Sequence, residues 1–426
     1  MAMDSDKWFG VYTHNFIIHD NRIVSRQFII LKQQNGLFQF TDFHRYISSS
    51  RKVKNIADNA NNRFYFVAQL LNYACFCRGV RKVDDLSIDI VKDFLNAYGT
   101  CTLPMDDEGT SRTKATVEKC VRTAIDFCKA YIADRGQACA MGEAELYKEV
   151  TKRNKQGRVI KVKEPVFEVR YIKKPHKAIY RDMPDAAFRL LLNHIVHNHP
   201  GVLGLVMGSA FGGLRPSEAC NMRRPDSPLG PGIIFEAVDG IVYKVKIDIQ
   251  EELNLRSDFI RVGGIKKERM QPIPDIFLDA FLDLYNIYIK YLAGRKYETD
   301  YGAFTVNKQG RAMTYNSYLN KFHDIIQNEM IPIYLADDEP QVVRFGRTLM
   351  DNKLSPHVFR HWFSVQLVLS GIDRDTLQYL RGDSNPDSAI TYLQNKGELE
   401  KQYRKVSNDI FAYMSWAAEK KIHEKY

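Results

Sequence analysis

Three short segments, far apart along the chain, carry the arginine, histidine and tyrosine side chains that phosphoryl transfer uses. They are GGLRPSEA at 212–219, SPHVFRHW at 355–362 and RGDSNPDSAITYL at 381–393. A phosphodiester under attack gains negative charge on its non-bridging oxygens, and guanidinium groups bind such oxygens bidentately while staying charged. The segments therefore predict a site for a reacting phosphate.

Four side chains in these segments are suited to act on one phosphate. Arg215 follows a Gly-Gly break, and His357 lies three residues before Arg360, so the imidazole and the guanidinium share one face of a helix. Tyr392 offers a phenol whose ordinary pKa, about 10, makes it a weak nucleophile at neutral pH unless a base or cations assist it. His357 is the expected base or proton relay.

From about residue 181 to 403 the sequence resembles the catalytic domain of the tyrosine recombinases, the phage integrase family. The family's motif G-L-R-x-x-E is matched by Gly213, Leu214, Arg215 and Glu218, and its motif H-x-x-R-H by His357, Arg360 and His361. The family's tyrosine follows a Leu-Gly-His turn by nine positions. That spacing selects Tyr392 rather than Tyr379, Tyr403 or Tyr413.

The resemblance implies both a fold and a reaction. The fold is mainly α with a small antiparallel β-sheet: a helical core-binding domain followed by an α+β catalytic domain. The reaction is site-specific DNA recombination through a 3′-phosphotyrosyl link to Tyr392, with no metal and no cofactor. The family's catalytic lysine lies on a β-hairpin and protonates the released 5′ oxygen.

The segment GGIKKERMQPIP resembles that hairpin, so Lys266 is the expected acid and Lys267 the alternative. Glu218, three residues past Arg215, is expected to orient that arginine, and His361 to lie behind the catalytic groups. Neither of these two is expected to react with the phosphate.

One position departs from the family's pattern. Asp383 stands where the family has histidine, although the spacing to Tyr392 is kept. A carboxylate repels the phosphate that a histidine would hydrogen-bond, so we expect Asp383 to be protonated or turned towards a cation such as Arg381. Two other functions stay open: a DNA-binding relative that has lost catalysis, which Asp383 favours, and a type IB topoisomerase, which uses similar groups.

The N-terminal half predicts a helical domain over 56–147. Apolar residues recur at helical spacing from residue 61, from 84 to 99, and from 111 or 113 to 132. The third helix carries a basic face, which suits a phosphate backbone. By resemblance to the family's core-binding domain, the expected DNA contacts are Arg112, Lys114, Thr116, Lys119 and Arg122.

Residues 148–180 predict a basic linker between two domains, because they hold many cations and because Pro165 and Pro175 disfavour helix. A solvated connector is the alternative to a DNA-contacting one, and we expect phosphate contact at Lys173 and Lys174. The other predicted boundaries are 1–55 for an arm or small β unit, 181–403 for the catalytic domain and 404–426 for a C-terminal helix that docks on a neighbouring subunit.

The composition agrees with a polyanionic partner. Lysine and arginine number 61 against 51 aspartates and glutamates, which gives a formal net charge of +10. The seven cysteines contain no CxxC pair, and no stretch has the pattern of a signal peptide or membrane span, so we expect a cytoplasmic protein, in a prokaryotic cell or associated with the nucleoid. Exchange between two duplexes needs four active sites, so the resemblance implies a homotetramer on double-stranded DNA.

His194, His197 and His199 raise the question of a metal site near the end of a predicted helix. No acidic or cysteine ligand is near them in sequence, so a solvated helix end is the favoured interpretation and no metal site is predicted.

Overall fold

The computed structural model describes residues 6–47, 61–107, 109–153, 159–172, 183–297 and 301–382. The chain folds into two compact units, residues 1–16 with 24–176 and residues 17–23 with 177–426. Across the described ranges, no helix combines the length and the apolar character needed to cross a lipid bilayer. The predicted class, mainly α with small sheets, is confirmed.

A three-stranded sheet lies at the start of the chain, where the sequence predicted an arm or a small β unit. Its strands, in spatial order, are β1 Lys7–Ile17, β2 Ile23–Gln33 and β3 Phe38–Phe40. β2 and β3 are antiparallel, with Ile30 opposite Phe40. Ile29 and Ile30 are buried, whereas Phe38 and Phe40 are exposed, so the central strand contributes most to the core.

Three helices complete the core of the N-terminal unit: α1 Arg63–Asn72, α2 Ile88–Thr100 and α3 Lys114–Arg135. Phe64, Val67 and Ile125, three of the residues whose spacing predicted α1 and α3, are buried. α3 begins after Thr113, whose hydroxyl accepts the backbone N–H of Thr116 at 3.1 Å and so caps the helix. Helical periodicity therefore located all three helices.

The start of α2 lies after the predicted start at residues 84–85. Ser87 caps the helix by accepting the backbone N–H of Ile90 at 3.4 Å. Asp84 instead lies in a short 3-10 turn, where its carboxylate accepts from the Tyr131 hydroxyl at 2.8 Å and from Arg135 at 2.9 Å. Asp84 is thus used for a contact with α3 rather than for capping α2.

A β-hairpin stands where the sequence predicted a linker. Strands β4 Tyr147–Arg153 and β5 Val159–Pro165 pair antiparallel within the N-terminal unit. Lys148 lies opposite Glu164, and Glu149 opposite Lys163, so opposite charges face each other across the strands. The sequence prediction counted an excess of cations and missed this pairing.

The C-terminal unit consists of helices around one small sheet. Its elements are α4 Asp185–Asn198, α5 Leu203–Ala210, α6 Pro216–Ala219, β6 Ile233–Val238, β7 Ile241–Ile249, β8 Arg269–Pro272, α7 Leu278–Ala293, α8 Tyr315–Asp324, α9 Ile331–Leu335, α10 Pro340–Asp351, α11 His357–Leu369 and α12 Arg374–Arg381. The sheet is antiparallel in the order β6-β7-β8, with Ile247 opposite both Ile233 and Gln271.

The connection between β7 and β8, which includes DFIRVGGI at 258–265, forms no strand. Its backbone is held instead by α6 and the residues beside it. The Asn221 amide donates to the Gly263 carbonyl at 2.9 Å, and the Ser217 hydroxyl donates to the Gly264 carbonyl at 2.9 Å. A Cβ at Gly263 would lie 2.3 Å from the Ser217 carbonyl oxygen, so this close approach requires glycine.

Helix α5 forms the centre of the C-terminal core, since all eight of its residues are buried. Beside it, α11 is fixed to α4: Trp362 stacks on Phe188 with ring centroids 4.0 Å apart, and its indole N–H donates to Asp185 at 2.8 Å. These contacts give α11, which carries His357 and Arg360, a defined position within the unit.

Candidate active site

Arg215 lies five residues after Ala210, the last residue of the buried helix α5. Gly213 has φ +62, and an added Cβ would lie 2.4 Å from the Phe363 ring on α11. Glycine is required there because the turn is left-handed and in contact with α11. Arg215 then occupies the N-cap position of α6, and its side chain is 14% exposed.

The carboxylate of Glu218 joins two guanidinium groups. It accepts from Arg215 Nη1 at 2.8 Å and Arg215 backbone N–H at 3.1 Å, and from Arg269 Nη2 at 3.0 Å. Its side chain is fully buried. Burial alone would raise the pKa of Glu218, but the charges and hydrogen bonds of Arg269 and Arg215 outweigh it and lower the pKa below its usual value.

Arg269 connects this carboxylate to the sheet and to α12. It lies on β8, where its Nε donates to Gln271 Oε1 at 2.6 Å and its Nη1 to the Lys267 carbonyl at 2.9 Å. Gln271 in turn donates to the Leu380 carbonyl at 2.8 Å. Neither residue was predicted from the sequence; their i, i+2 spacing in ERMQ was the available signal, since it puts them on one face of a strand.

Arg360 connects the segment that contains Gly213 to the segment that begins at Arg381. It is 5% exposed and donates to the Gly213 carbonyl and, at 2.5 Å, to the Arg381 carbonyl. The Arg381 guanidinium donates to the Ser364 hydroxyl, which itself donates to the Arg360 carbonyl at 2.9 Å. The end of α12 is thus bound to α11 through both backbone and side chains.

Gly382, the last described residue, packs closely against the side chain of Arg269. It has φ +59, and an added Cβ would lie 2.6 Å from Arg269 Nε. The predicted catalytic residues Asp383 and Tyr392 follow it and lie outside the described residues.

The predicted imidazoles both lie on α11. His357 is the first residue of that helix and is exposed, whereas His361 is half-buried. Because they lie three residues before and one residue after Arg360, the helix carries all three groups within about one turn.

The two predicted lysines lie in an exposed bend before β8. The Lys267 carbonyl accepts from Arg269, and the two glycines preceding this bend are held by Ser217 and Asn221. The contacts fix where the bend begins and ends relative to α6, which contains Glu218.

These hydrogen bonds within the site involve the guanidiniums of Arg215, Arg269, Arg360 and Arg381 and one carboxylate, Glu218. The described part of the site therefore has a net positive charge, which favours an anionic ligand.

In the N-terminal unit, the predicted DNA contacts fall into two groups. Lys114, Lys119 and Arg122 are exposed on α3, and Thr116 is half-buried there. Arg112 lies before the helix, where its side chain is 8% exposed, pairs with Asp106 and lies 4.0 Å from the Tyr98 ring centroid. Its position is that of an internal ion pair. Lys173 and Lys174 lie outside the described residues.

Sequence comparison supplies a curated relative. The tyrosine recombinase XerC of Chlamydia pneumoniae is 24% identical over 154 residues, which is 36% of this chain and 42% of the relative. Over that stretch the chain is similar to a tyrosine recombinase. The match covers less than half of that relative's length, and no model of a protein family matches the chain.

Two solved structures are similar to the chain. One is the XerH site-specific recombinase bound to difH substrate in a pre-cleavage complex, at 14% identity and a TM-score of 0.43, covering 78% of this chain and 74% of that one. The other is a Tn1549 transposon integrase in complex with transposon right end DNA, at 16% identity and a TM-score of 0.43, covering 86% of this chain and 98% of that one.

The close contact between Gly382 and Arg269 can be tested by comparing alanine substitutions at two glycines. Gly371 also has positive φ, +89, but an added Cβ would meet nothing within 4 Å. Alanine costs about 1–2 kcal/mol of backbone strain at either position. Only G382A also displaces Arg269 from its partners, so we expect it to lose about 1–3 kcal/mol more than G371A in the free energy of unfolding by urea. Equal losses would contradict the contact.

Proposed function

We propose that the protein is a site-specific DNA recombinase that cleaves and rejoins strands through a 3′-phosphotyrosyl intermediate on Tyr392. The observation that supports it most is the hydrogen-bond network in which Arg360 joins the Gly213 carbonyl, two residues before Arg215, to the end of α12. Glu218, Arg269 and Gln271 form a second path between the same elements. The side chains suited to binding one phosphate are thus held within one network of hydrogen bonds.

In this proposal Arg215 and Arg360 bind the non-bridging oxygens of the scissile phosphate. Their charge stabilises the five-coordinate state more than the ground state, because negative charge on those oxygens increases during attack. Glu218 and the backbone carbonyls hold the guanidiniums in place before DNA binds, which reduces the reorganisation needed during the reaction. Glu218 and His361 act through these groups rather than on the phosphate.

The proton transfers are assigned to His357 and Lys266. His357 takes the phenol proton as the Tyr392 oxygen bonds to phosphorus, and Lys266 gives a proton to the 5′ oxygen as its bond to phosphorus breaks. A 5′ hydroxyl of the partner strand then attacks the phosphotyrosine, and the same groups act in reverse. The phosphotyrosyl bond conserves the energy of the broken diester, so the cycle needs neither a nucleotide cofactor nor a metal.

The DNA surface of the N-terminal unit is proposed to be the exposed part of α3, at Lys114, Thr116, Lys119 and Arg122. Lys173 and Lys174 are proposed as further phosphate contacts. We leave Arg112 out of this surface, because its charge is already paired with Asp106.

Strand exchange between two duplexes implies a homotetramer on double-stranded DNA. In this assembly, residues 404–426 would dock on a neighbouring subunit. The proposed location is a prokaryotic cytoplasm or nucleoid.

Two alternative functions make different predictions. A type IB topoisomerase would relax supercoiled DNA without a partner duplex or a defined site. A relative that binds DNA without cleaving it, for which Asp383 is the sequence signal, would form no covalent link to DNA.

The nucleophile is tested with nicked suicide substrates made from inverted repeats in the DNA flanking the coding region. We expect the wild-type chain to form a covalent protein-DNA adduct, seen as a shifted band on a denaturing gel, and Y392F to form none while binding DNA with unchanged affinity. Y379F is the matched control and should form the adduct, since Tyr379 is an exposed residue of α12. An adduct in Y392F would overturn the assignment. If the wild-type chain forms no adduct on any substrate, the result would favour a relative that binds DNA without cleaving it.

The general acid is tested by changing the leaving group. We expect K266A to slow cleavage about 10²–10⁴-fold on ordinary DNA, the range of a lost proton transfer. A bridging 5′-thiolate substrate should restore the rate, because a thiolate leaves without a proton. K267A is the control and should cleave ordinary DNA at close to the wild-type rate. Rescue of K267A instead would move the role to Lys267.

A further inference from the structure

Three side chains of the C-terminal unit that have no assigned role in the reaction meet at the end of α4. His194 Nε2 and His199 Nε2 each lie 2.6 Å from the same oxygen, Oε2 of Glu329. One candidate ligand atom from each residue can be chosen so that all three lie within 4.8 Å of one another. A solvated helix end was the favoured prediction because no acidic ligand is near the histidines in sequence; the fold brings Glu329 to them from 130 residues further along.

Two local backbone features bring these side chains together. α4 ends at Asn198, and His199 leaves the helix with φ −132 and ψ 48, so its ring returns to within 5.5 Å of the His194 ring. Glu329 lies on a π-helical turn, Ile325–Met330, which is anchored in the core by Ile325, Ile326 and Met330. Single π-helical turns are rare and occur frequently at functional sites.

We propose that His194, His199 and Glu329 bind a divalent transition-metal ion, best matched by Zn²⁺. Two neutral imidazoles and one carboxylate are a common zinc ligand set, with ligand distances of about 2.0–2.2 Å. In tetrahedral geometry such ligands lie about 3.4 Å apart. The two imidazoles therefore need to withdraw from Glu329 by less than about 1 Å, which side-chain rotation allows.

The surroundings suit a bound ion with one open position. The side chains of His194, His199 and Glu329 are 15%, 14% and 32% exposed, so water can reach a fourth ligand position. Asn198 lies with its side-chain amide 3.1 Å from His194 Nδ1. With its amide reversed, Asn198 would accept from an Nδ1–H, the tautomer that leaves Nε2 available to a metal.

Such an ion would connect α4 to the segment that leads into α9. The alternative is a pair of hydrogen bonds between the histidines and Glu329 that needs no metal. The two differ in whether the site takes up an ion saturably, so direct binding distinguishes them.

The test measures Zn²⁺ binding to the full chain, purified without a histidine tag and stripped of metal. We expect one tight site per chain by isothermal titration, a higher thermal midpoint with Zn²⁺, and the visible absorption of tetrahedral cobalt when Co²⁺ replaces it. H199A and E329Q should each weaken this site at least about 10-fold.

H197A is the matched control, because His197 is the exposed third histidine of the same run and its Nδ1 contacts the Asn193 carbonyl instead. It should bind Zn²⁺ as the wild type does. The proposal is overturned if the wild type shows no saturable site, or if H199A and E329Q bind as tightly as H197A. The cobalt spectrum of the wild type decides the matter even if a variant fails to fold.

Discussion

The candidate active site depends on one buried charge, the carboxylate of Glu218. A buried carboxylate is strongly unfavourable without partners, and removing one partner of a buried ion pair costs about 3–5 kcal/mol. Arg215 and Arg269 supply those partners from α6 and from β8. The requirement to pair this charge therefore constrains where the sheet lies relative to the turn that carries Arg215.

The remaining contacts extend from that centre. Arg269 reaches α12 through Gln271 and through its close approach to Gly382. Arg360 completes the network by donating hydrogen bonds to the Gly213 carbonyl and to the Arg381 carbonyl at the end of α12. A network that is satisfied on all sides restricts the directions of its guanidiniums, which is what recognition of a phosphate requires.

Sequence predicted those parts of the site that local spacing encodes. Arg215, His357 and Arg360 were identifiable because their motifs are short and ordered, and helix periodicity located α1, α3 and α11. Arg269 was missed because nothing in ERMQPIP shows that Glu218, 51 residues earlier, will face it. Glu329 was missed for the same reason, and the β4–β5 hairpin because its charge pairing appears only once the register is known.

The central claim is that Glu218 acts by holding Arg269 and Arg215 together, and a double-mutant cycle on the cleavage step tests it directly. Single-turnover rates at saturating DNA would be compared for wild type, E218Q, R269Q and the double variant. Coupled residues deviate from additivity by about 0.5–3 kcal/mol. The structure predicts that the double variant is scarcely slower than the slower single variant. If the rate of the double variant is lowered by the product of the two single-variant factors, Glu218 and Arg269 act independently. That result would contradict the account.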